Sequence, residues 1–179
     1  MKSLITDISH KLISDLFDKN DIVVDATMGN GNDTLFLAEK ALHVYAFDIQ
    51  ENALIRTKSI TRHLSNITYI LDSHENIFSY IEYAKGYVFN LGYLPNGNKD
   101  ISTTSISTIK TLTSIFDKLR KNDFVLVVCY PGHDEGKIES IALKSLLDTI
   151  DKSSLDIVRT TLEYKKNIPP YILLITKTK

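Results

Sequence analysis

The most informative part of the chain is a glycine-rich turn that follows a short apolar segment. Residues 22–24 are apolar and predict a buried strand, Gly29 and Gly31 form the turn, and a helix begins near Thr34. In open α/β sheets, a strand, a glycine turn and a helix bring backbone N–H groups up to a ligand. Glycine is required in such a turn because a Cβ atom would block the ligand or the backbone dihedral. The turn therefore predicts a ligand-binding site.

Two carboxylates indicate which ligand this turn holds. Asp48 ends the second apolar segment, where an acid is placed to accept both hydroxyls of a ribose. Asp25 ends the first strand, which suits a ligand carrying an amino acid more than a pyrophosphate. Thr34 stands where the dinucleotide fingerprint has its third glycine or alanine. The pattern resembles that of class I S-adenosylmethionine-dependent methyltransferases, with a nicotinamide dinucleotide or no ligand as open alternatives.

The end of the fourth predicted strand indicates the reaction. Asn90-Leu91-Gly92-Tyr93 resembles the Asn/Asp-Pro-Pro-Tyr motif of amino-group methyltransferases, although Leu91 and Gly92 replace the two prolines. An Asn oxygen and a backbone carbonyl can accept the hydrogens of a bound amine and aim its lone pair, and such catalysis is mostly positioning. The ring of Tyr93 can then cover the target. The alternative is a turn in which Asn90 and Gly92 supply positive backbone dihedrals.

Two histidines also lie at predicted strand ends, where ligands bind in such sheets. His74 follows the third strand, next to the expected adenine position. His133 and Glu135 can orient one another, and histidine suits proton uptake near neutral pH. A structural or surface role is the alternative for each histidine. The five histidines have no paired ligand spacing and Cys129 has no second cysteine, so no metal site is expected.

Length and composition predict one globular domain, 1–179, because 179 residues with 43% hydrophobic content can bury a sufficient core. A single cysteine excludes a disulfide framework within the chain. No apolar run approaches the ~20 residues of a membrane span, and the first residues lack a signal-peptide core, so a cytoplasmic location is expected. A net charge of -1 gives no overall nucleic-acid signal. Residues that form either a local basic face or ordinary solvated charges are Lys118, Arg120, Lys121, Lys165, Lys166, Lys177 and Lys179.

The apolar pattern predicts a Rossmann-like, doubly wound α/β sheet that is mostly parallel and has an antiparallel C-terminal strand. Strands over 22–26, 43–47, 67–71, 87–89 and 124–129 alternate with helices near 33–40, 51–63, 75–83, 105–120 and 137–150, after a helical pattern over 4–18. The last two strands, 155–162 and 171–176, are joined by a segment too short for a parallel crossover. They should pair as an antiparallel hairpin or lie antiparallel around a neighbour. Class I methyltransferases end in this way.

Taken together, the segments 21–31, 43–50, 89–95, 107–110 and 132–137 resemble a family of small bacterial proteins. That family was labelled as ribosomal RNA methylases and is associated with methylation of a tRNA wobble uridine. The resemblance implies an S-adenosylmethionine cofactor and conversion of 5-aminomethyl-2-thiouridine to its methylaminomethyl form, with the tRNA anticodon region as partner. It implies that Asn90 and Tyr93 hold the target amine. It also implies that the cofactor is contacted by Asn30, Asn32, Asp33, Thr34, Asp48, Gln50, Ser73 and His74.

Competing interpretations remain at this point. Ribosomal RNA is a competing substrate for the same chemistry. A nicotinamide-dependent reductase and a cofactor-binding module without catalysis are competing classes of protein. No membrane partner is expected, and a homodimer is compatible with the pattern.

Overall fold

A seven-stranded sheet organises the protein, which is described by a computed structural model over residues 3–92, 105–151, 153–163 and 168–179. The strands are β1 (Ile22–Asp25), β2 (His43–Asp48), β3 (Ile67–Leu71), β4 (Gly86–Asn90), β5 (Phe124–Cys129), β6 (Leu155–Thr161) and β7 (Tyr171–Lys177). The helices are α1 (Leu4–Ile13), α2 (Asn32–Ala38), α3 (Glu51–Ile60), α4 (Ile77–Tyr80), α5 (Ser105–Phe116) and α6 (Asp134–Thr149). A 3₁₀ turn, His74–Asn76, precedes α4.

The strand order is β3-β2-β1-β4-β5-β7-β6. Strands β1 to β5 are parallel, whereas β7 runs antiparallel to both β5 and β6. The predicted fold class is therefore confirmed. Both proposed arrangements of the last two strands occur at once, because β7 pairs with β6 as a hairpin and inserts beside β5.

The reversal of strand order between β1 and β4 determines where a ligand can bind. Asp25 is level with Ala46 on β2 and with Val88 on β4, so the carboxyl ends of these three strands lie side by side. Open α/β sheets bind ligands in the crevice outside the carboxyl ends at such a switch point. The fold thus brings Asp25, Asp48 and Asn90 together at the carboxyl ends of neighbouring strands.

The core lies on both faces of the sheet, and β5 shows this most clearly. All six of its residues are buried. Val125, Val127 and Cys129 pack in one apolar cluster, whereas Phe124 and Leu126 pack in the other. Because successive side chains of a strand point to opposite faces, this fully apolar strand fills both layers.

Several predicted helix ends are wrong. The helix predicted over 4–18 ends at Ile13. Phe17 lies beyond that end but is still buried in the core, so the apolar spacing indicated burial there and not helix. The helix predicted from residue 137 begins at Asp134, because the His133 side chain caps it. The helix predicted over 75–83 is a 3₁₀ turn followed by the single turn of α4. Helices α3 and α5 also end earlier than predicted.

No helix among the described residues is long and apolar enough to cross a bilayer. Over the same residues, no group of three or more His, Cys, Asp or Glu side chains is arranged to hold a metal ion.

Candidate functional site

The glycine turn between β1 and α2 is held by backbone bonds and by glycine geometry. Gly29 and Gly31 have φ values of 50° and 81°, in the left-handed region that favours glycine. The Gly31 N–H donates to the Met28 carbonyl at 2.7 Å. A Cβ on Gly31 would lie 2.9 Å from the Cα of Thr57 and from Cδ1 of Ile60, both on α3. Glycine is therefore required here by the dihedral, as predicted, and by close packing of the turn on α3.

Asp48 ends β2 and lies beside this turn. Its Oδ2 accepts a hydrogen bond from Gly29 N–H at 3.0 Å, and its Oδ1 accepts one from Gln50 N–H at 2.9 Å. Burial raises the pKa of this carboxyl above its ordinary value, and the backbone N–H groups oppose that rise. The Ile49 N–H also bonds this carboxylate, so three backbone donors occupy part of its lone-pair capacity and part remains for a further donor. The geometry is compatible with the predicted ribose contact, which stays a prediction.

Asp25 occupies a different environment from the one expected for a ligand contact. Its side chain is fully buried beneath the turn. It accepts hydrogen bonds from Thr27 N–H at 3.1 Å and from the Thr34 hydroxyl at 2.5 Å. Burial, followed by the nearby charge of Asp33, raises the pKa of Asp25 to about 8. Asp25 and Thr34 therefore brace the turn from inside and are not open to a ligand.

The asparagines of the turn face outward. Asn30 Oδ1 accepts a hydrogen bond from Arg56 Nη1 of α3 at 2.9 Å, a contact that sequence analysis did not predict. Asn32 is the first residue of α2 and is exposed. Both lie where the family resemblance places cofactor contacts.

The end of β3 carries a buried histidine. His74 is 7% exposed, its ring meets Phe89 edge-on at 5.6 Å between centroids, and burial lowers its pKa. Its Nε2 atom is buried without a hydrogen-bond partner among the residues that the structure describes. Neighbouring Ser73 uses its hydroxyl to accept a bond from Glu75 N–H, which caps the 3₁₀ turn. Of the two, His74 is the residue with unused hydrogen-bonding capacity.

Asn90, the last residue of β4, is held through its backbone and its side chain, and its side chain also forms a hydrogen bond with that of Tyr130. Its backbone N–H donates to the Thr27 hydroxyl at 2.7 Å, and its Nδ2 donates to Asp33 Oδ2 at 3.0 Å. A carboxylate only accepts hydrogen bonds, so the amide nitrogen must be the end that faces Asp33. The amide oxygen therefore points to the other side, with acceptor capacity for a ligand.

His10 of α1 completes this network, and sequence analysis missed it. Its Nε2 lies 2.6 Å from Asp33 Oδ1, and its ring stacks on Phe36 at 4.0 Å with 7° between the planes. A signal was present in the sequence, because Thr6, Ser9 and His10 share the helix face that buries Ile13. Polar residues on the buried face of an amphipathic helix require partners.

His133, another predicted catalytic residue, has no observed contact with Asn90 among the described residues. His133 caps α6, and its Nδ1 accepts a hydrogen bond from Gly136 N–H at 3.1 Å. Glu135 lies 3.7 Å from the same Nδ1 atom. This geometry gives His133 a structural role, and its catalytic role stays a prediction. Tyr93 lies outside the described residues.

The described residues of the predicted basic face do not lie at the carboxyl ends of the parallel strands. Three of these residues, Lys118, Arg120 and Lys121, precede β5, and Lys177 ends the antiparallel β7. They therefore lie at the opposite end of the sheet, where the parallel strands begin. Lys118 and Arg120 lie over the rings of Phe78 and Tyr83, at 4.8 and 3.9 Å from the centroids. The interpretation as ordinary solvated or packed charges suits them better. Lys165 and Lys166 lie outside the described residues.

Comparison with known proteins agrees with this geometry. The family model described as "Putative rRNA methylase" matches residues 44–176. A crystal structure of a "putative rRNA-methylase" from Clostridium thermocellum is 35% identical, covers 99% of both chains and has a TM-score of 0.91. A Streptococcus mutans methyltransferase, solved with S-adenosylhomocysteine (SAH), is 34% identical over 99% of both chains, with a TM-score of 0.89.

A curated relative extends the comparison to plants. The chloroplast tRNA (mnm(5)s(2)U34)-methyltransferase of Arabidopsis thaliana is 32% identical over 157 residues, which is 75% of this chain. The chain spans 55% of the length of that relative. The predicted S-adenosylmethionine cofactor and the predicted class of enzyme are confirmed by these relatives. The chain therefore belongs to the rRNA methylase family, a family of S-adenosylmethionine-dependent methyltransferases.

Proposed function

We propose that this protein transfers a methyl group from S-adenosylmethionine to the amine of 5-aminomethyl-2-thiouridine at the wobble position of tRNA. The product is 5-methylaminomethyl-2-thiouridine. The orientation of the Asn90 amide carries this proposal, because its Nδ2 donates to Asp33 and its oxygen faces the other way. The relative from Arabidopsis, a tRNA (mnm(5)s(2)U34)-methyltransferase, supports the same substrate.

The residues at the carboxyl ends of the strands fit the cofactor. Asp48 keeps part of its lone-pair capacity for a ribose hydroxyl, and His74 follows the neighbouring strand β3 with a buried Nε2 that has no hydrogen-bond partner among the described residues. The turn at Gly29 and Gly31 lies next to Asp48, whose Oδ2 accepts from the Gly29 N–H. Bound S-adenosylmethionine supplies an electrophilic methyl group, whose bond to sulfur breaks as the new bond to nitrogen forms.

The role of Asn90 follows from what a nitrogen nucleophile requires. The amine must be neutral, so that its lone pair is available, and that lone pair must point along the line to the methyl carbon. Asn90 Oδ1 accepts one amine hydrogen and thereby fixes the direction of the lone pair. Orientation of this kind can account for a large part of a rate enhancement. After transfer, the methylated nitrogen carries one proton more than the neutral product and releases it to solvent.

RNA binding is expected at the end of the sheet where Asn90 lies, that is, at the carboxyl ends of the parallel strands. The segment between β6 and β7 leads into Tyr171, which is level with Cys129 at the carboxyl end of β5. Lys165 and Lys166 belong to that segment by sequence. We propose contacts with the anticodon region of tRNA there, in a cytoplasmic enzyme.

Ribosomal RNA is the second candidate substrate, because the family description and the Clostridium relative both carry that name. Mass spectrometry of nucleosides separates the two. Cells that lack the gene should accumulate 5-aminomethyl-2-thiouridine in tRNA, with no methylated nucleoside lost from ribosomal RNA. Loss of a methylated nucleoside from ribosomal RNA alone would reassign the substrate.

A purified-protein assay tests the chemistry. Asn90→Ala should lower the rate constant on tRNA that carries the aminomethyl group by about a hundredfold, since misplaced reacting groups commonly cost that much. The rate should rise with pH until the amine has lost its proton, and the variant should keep this profile at a lower level. Asn20→Ala is the control, because the Asn20 side chain is exposed. Turnover of Asn90→Ala near that of the control would contradict the role given to Asn90.

A further inference from the structure

The buried His10 contacts neither the turn nor the end of a strand directly, yet it is bonded to the residue that holds Asn90. We propose that His10 is a positioning residue for methyl transfer, which acts through Asp33 to fix the orientation of the Asn90 amide. This inference rests on the proposed function, because it concerns how the target amine is aimed.

The first link joins His10 to Asp33. The side chains of both residues are 9% exposed, and their closest atoms, Nε2 and Oδ1, are 2.6 Å apart. Because a carboxylate only accepts, the Nε2 atom must carry the hydrogen. The stack of the His10 ring on Phe36 prevents the ring from turning away. One oxygen of Asp33 is thus fixed by a donor from α1.

The second link joins Asp33 to Asn90. The other carboxylate oxygen, Oδ2, accepts from Asn90 Nδ2 at 3.0 Å. If the Asn90 amide flipped, its oxygen would face a carboxylate oxygen, and two acceptors would lie in contact. Thr27 holds the Asn90 backbone, so the torsion of the amide is the freedom that remains to be fixed. Asp33 fixes it together with Tyr130, whose side chain also forms a hydrogen bond with Asn90, provided that Asp33 itself cannot rotate.

Removal of the His10 donor should release Asp33, and through it the amide of Asn90. His10→Phe keeps a ring to stack on Phe36 but has no N–H group. We expect kcat to fall by about tenfold to a hundredfold, as misplaced reacting groups do. The KM for tRNA should change little, because His10 is buried and its contacts are with Asp33 and Phe36.

Conservative variants give the decisive comparison. The amide nitrogen of Gln reaches about as far as Nε2 of histidine, whereas that of Asn reaches about as far as Nδ1. Since the observed contact uses Nε2, His10→Gln should restore most of kcat and His10→Asn should not. This pair tests the inference even if His10→Phe does not fold. The matched control is His43→Phe, because His43 bonds Thr68 at the first residue of β2, away from Asn90.

The outcomes are separable from those of the proposed function. If the wild-type protein methylates no aminomethyluridine in tRNA, the proposed function fails. If the wild type is active and His10→Phe retains its kcat, or if Gln and Asn at position 10 behave alike, the positioning role is refuted. A double variant with Asn90→Ala should be no slower than Asn90→Ala alone, since both changes remove one function. Additive losses would also overturn the inference.

Discussion

Replacement of Gly31 by alanine should destabilise the protein for two reasons, the backbone dihedral of the turn and the packing of the turn on α3. The residue has a φ of 81°, and left-handed backbone costs a residue with a Cβ about 1–2 kcal/mol. The new Cβ would also lie 2.9 Å from Thr57 Cα, a backbone atom that cannot rotate away, and such overpacking costs about 1–3 kcal/mol. Reduced freedom of the unfolded chain offsets up to about 1 kcal/mol. The net loss is therefore about 3 kcal/mol.

Thermal unfolding followed by circular dichroism tests this value. For a chain of this size a loss of about 3 kcal/mol lowers Tm by about 6–12 °C. Gly132→Ala is the control, because Gly132 is exposed, has no positive φ and would bring its Cβ only to 3.5 Å from the Ile168 carbonyl oxygen. A Gly31→Ala protein that melts within about 2 °C of the control would refute the packing argument.

Three further predictions concern the cofactor, the RNA and pH. Asp48→Ala should weaken SAH binding by about 1.5–3 kcal/mol in calorimetry, the range for hydrogen bonds to a charged group, and unchanged affinity would remove Asp48 from the site. Affinity for tRNA should fall steeply from low to moderate salt while SAH binding changes little; a flat response in filter binding would favour a small-molecule substrate. Because the pKa of Asp25 is raised to about 8, the wild type should lose stability relative to Asp25→Asn as pH rises from about 4 to 8, measured by urea unfolding; parallel curves would contradict this.

The fold was largely predictable because its signals are local. The bounds of β3 and β5 agree with the prediction, since each is a compact run of strand-forming residues between clear breaks. Helix ends were less predictable, because capping decides them. His133 begins α6 three residues before the predicted start through a side-chain bond that composition does not reveal.

The candidate site was predictable only where one strand end carries the signal. The turn at Gly29 and Gly31 and the acid at Asp48 follow one another along the chain and were found. The contact between His10 and Asp33 spans 23 residues, and that between Asp33 and Asn90 spans 57. Contacts between residues so far apart in the sequence cannot be predicted from a local pattern. Asp25 shows a further limit, because the sequence placed it at the end of β1 but did not reveal that its carboxylate is buried and bonded to Thr34.

The position of β7 has a consequence for synthesis on the ribosome. Although β7 follows β6 in sequence, it lies between β5 and β6 in the sheet. A nascent chain that has emerged only as far as β6 therefore carries β5 with an open edge of six apolar residues. Open apolar edges are templates for pairing with other chains. The interval before β7 emerges is thus the stage at which we expect chaperones to matter most for this protein.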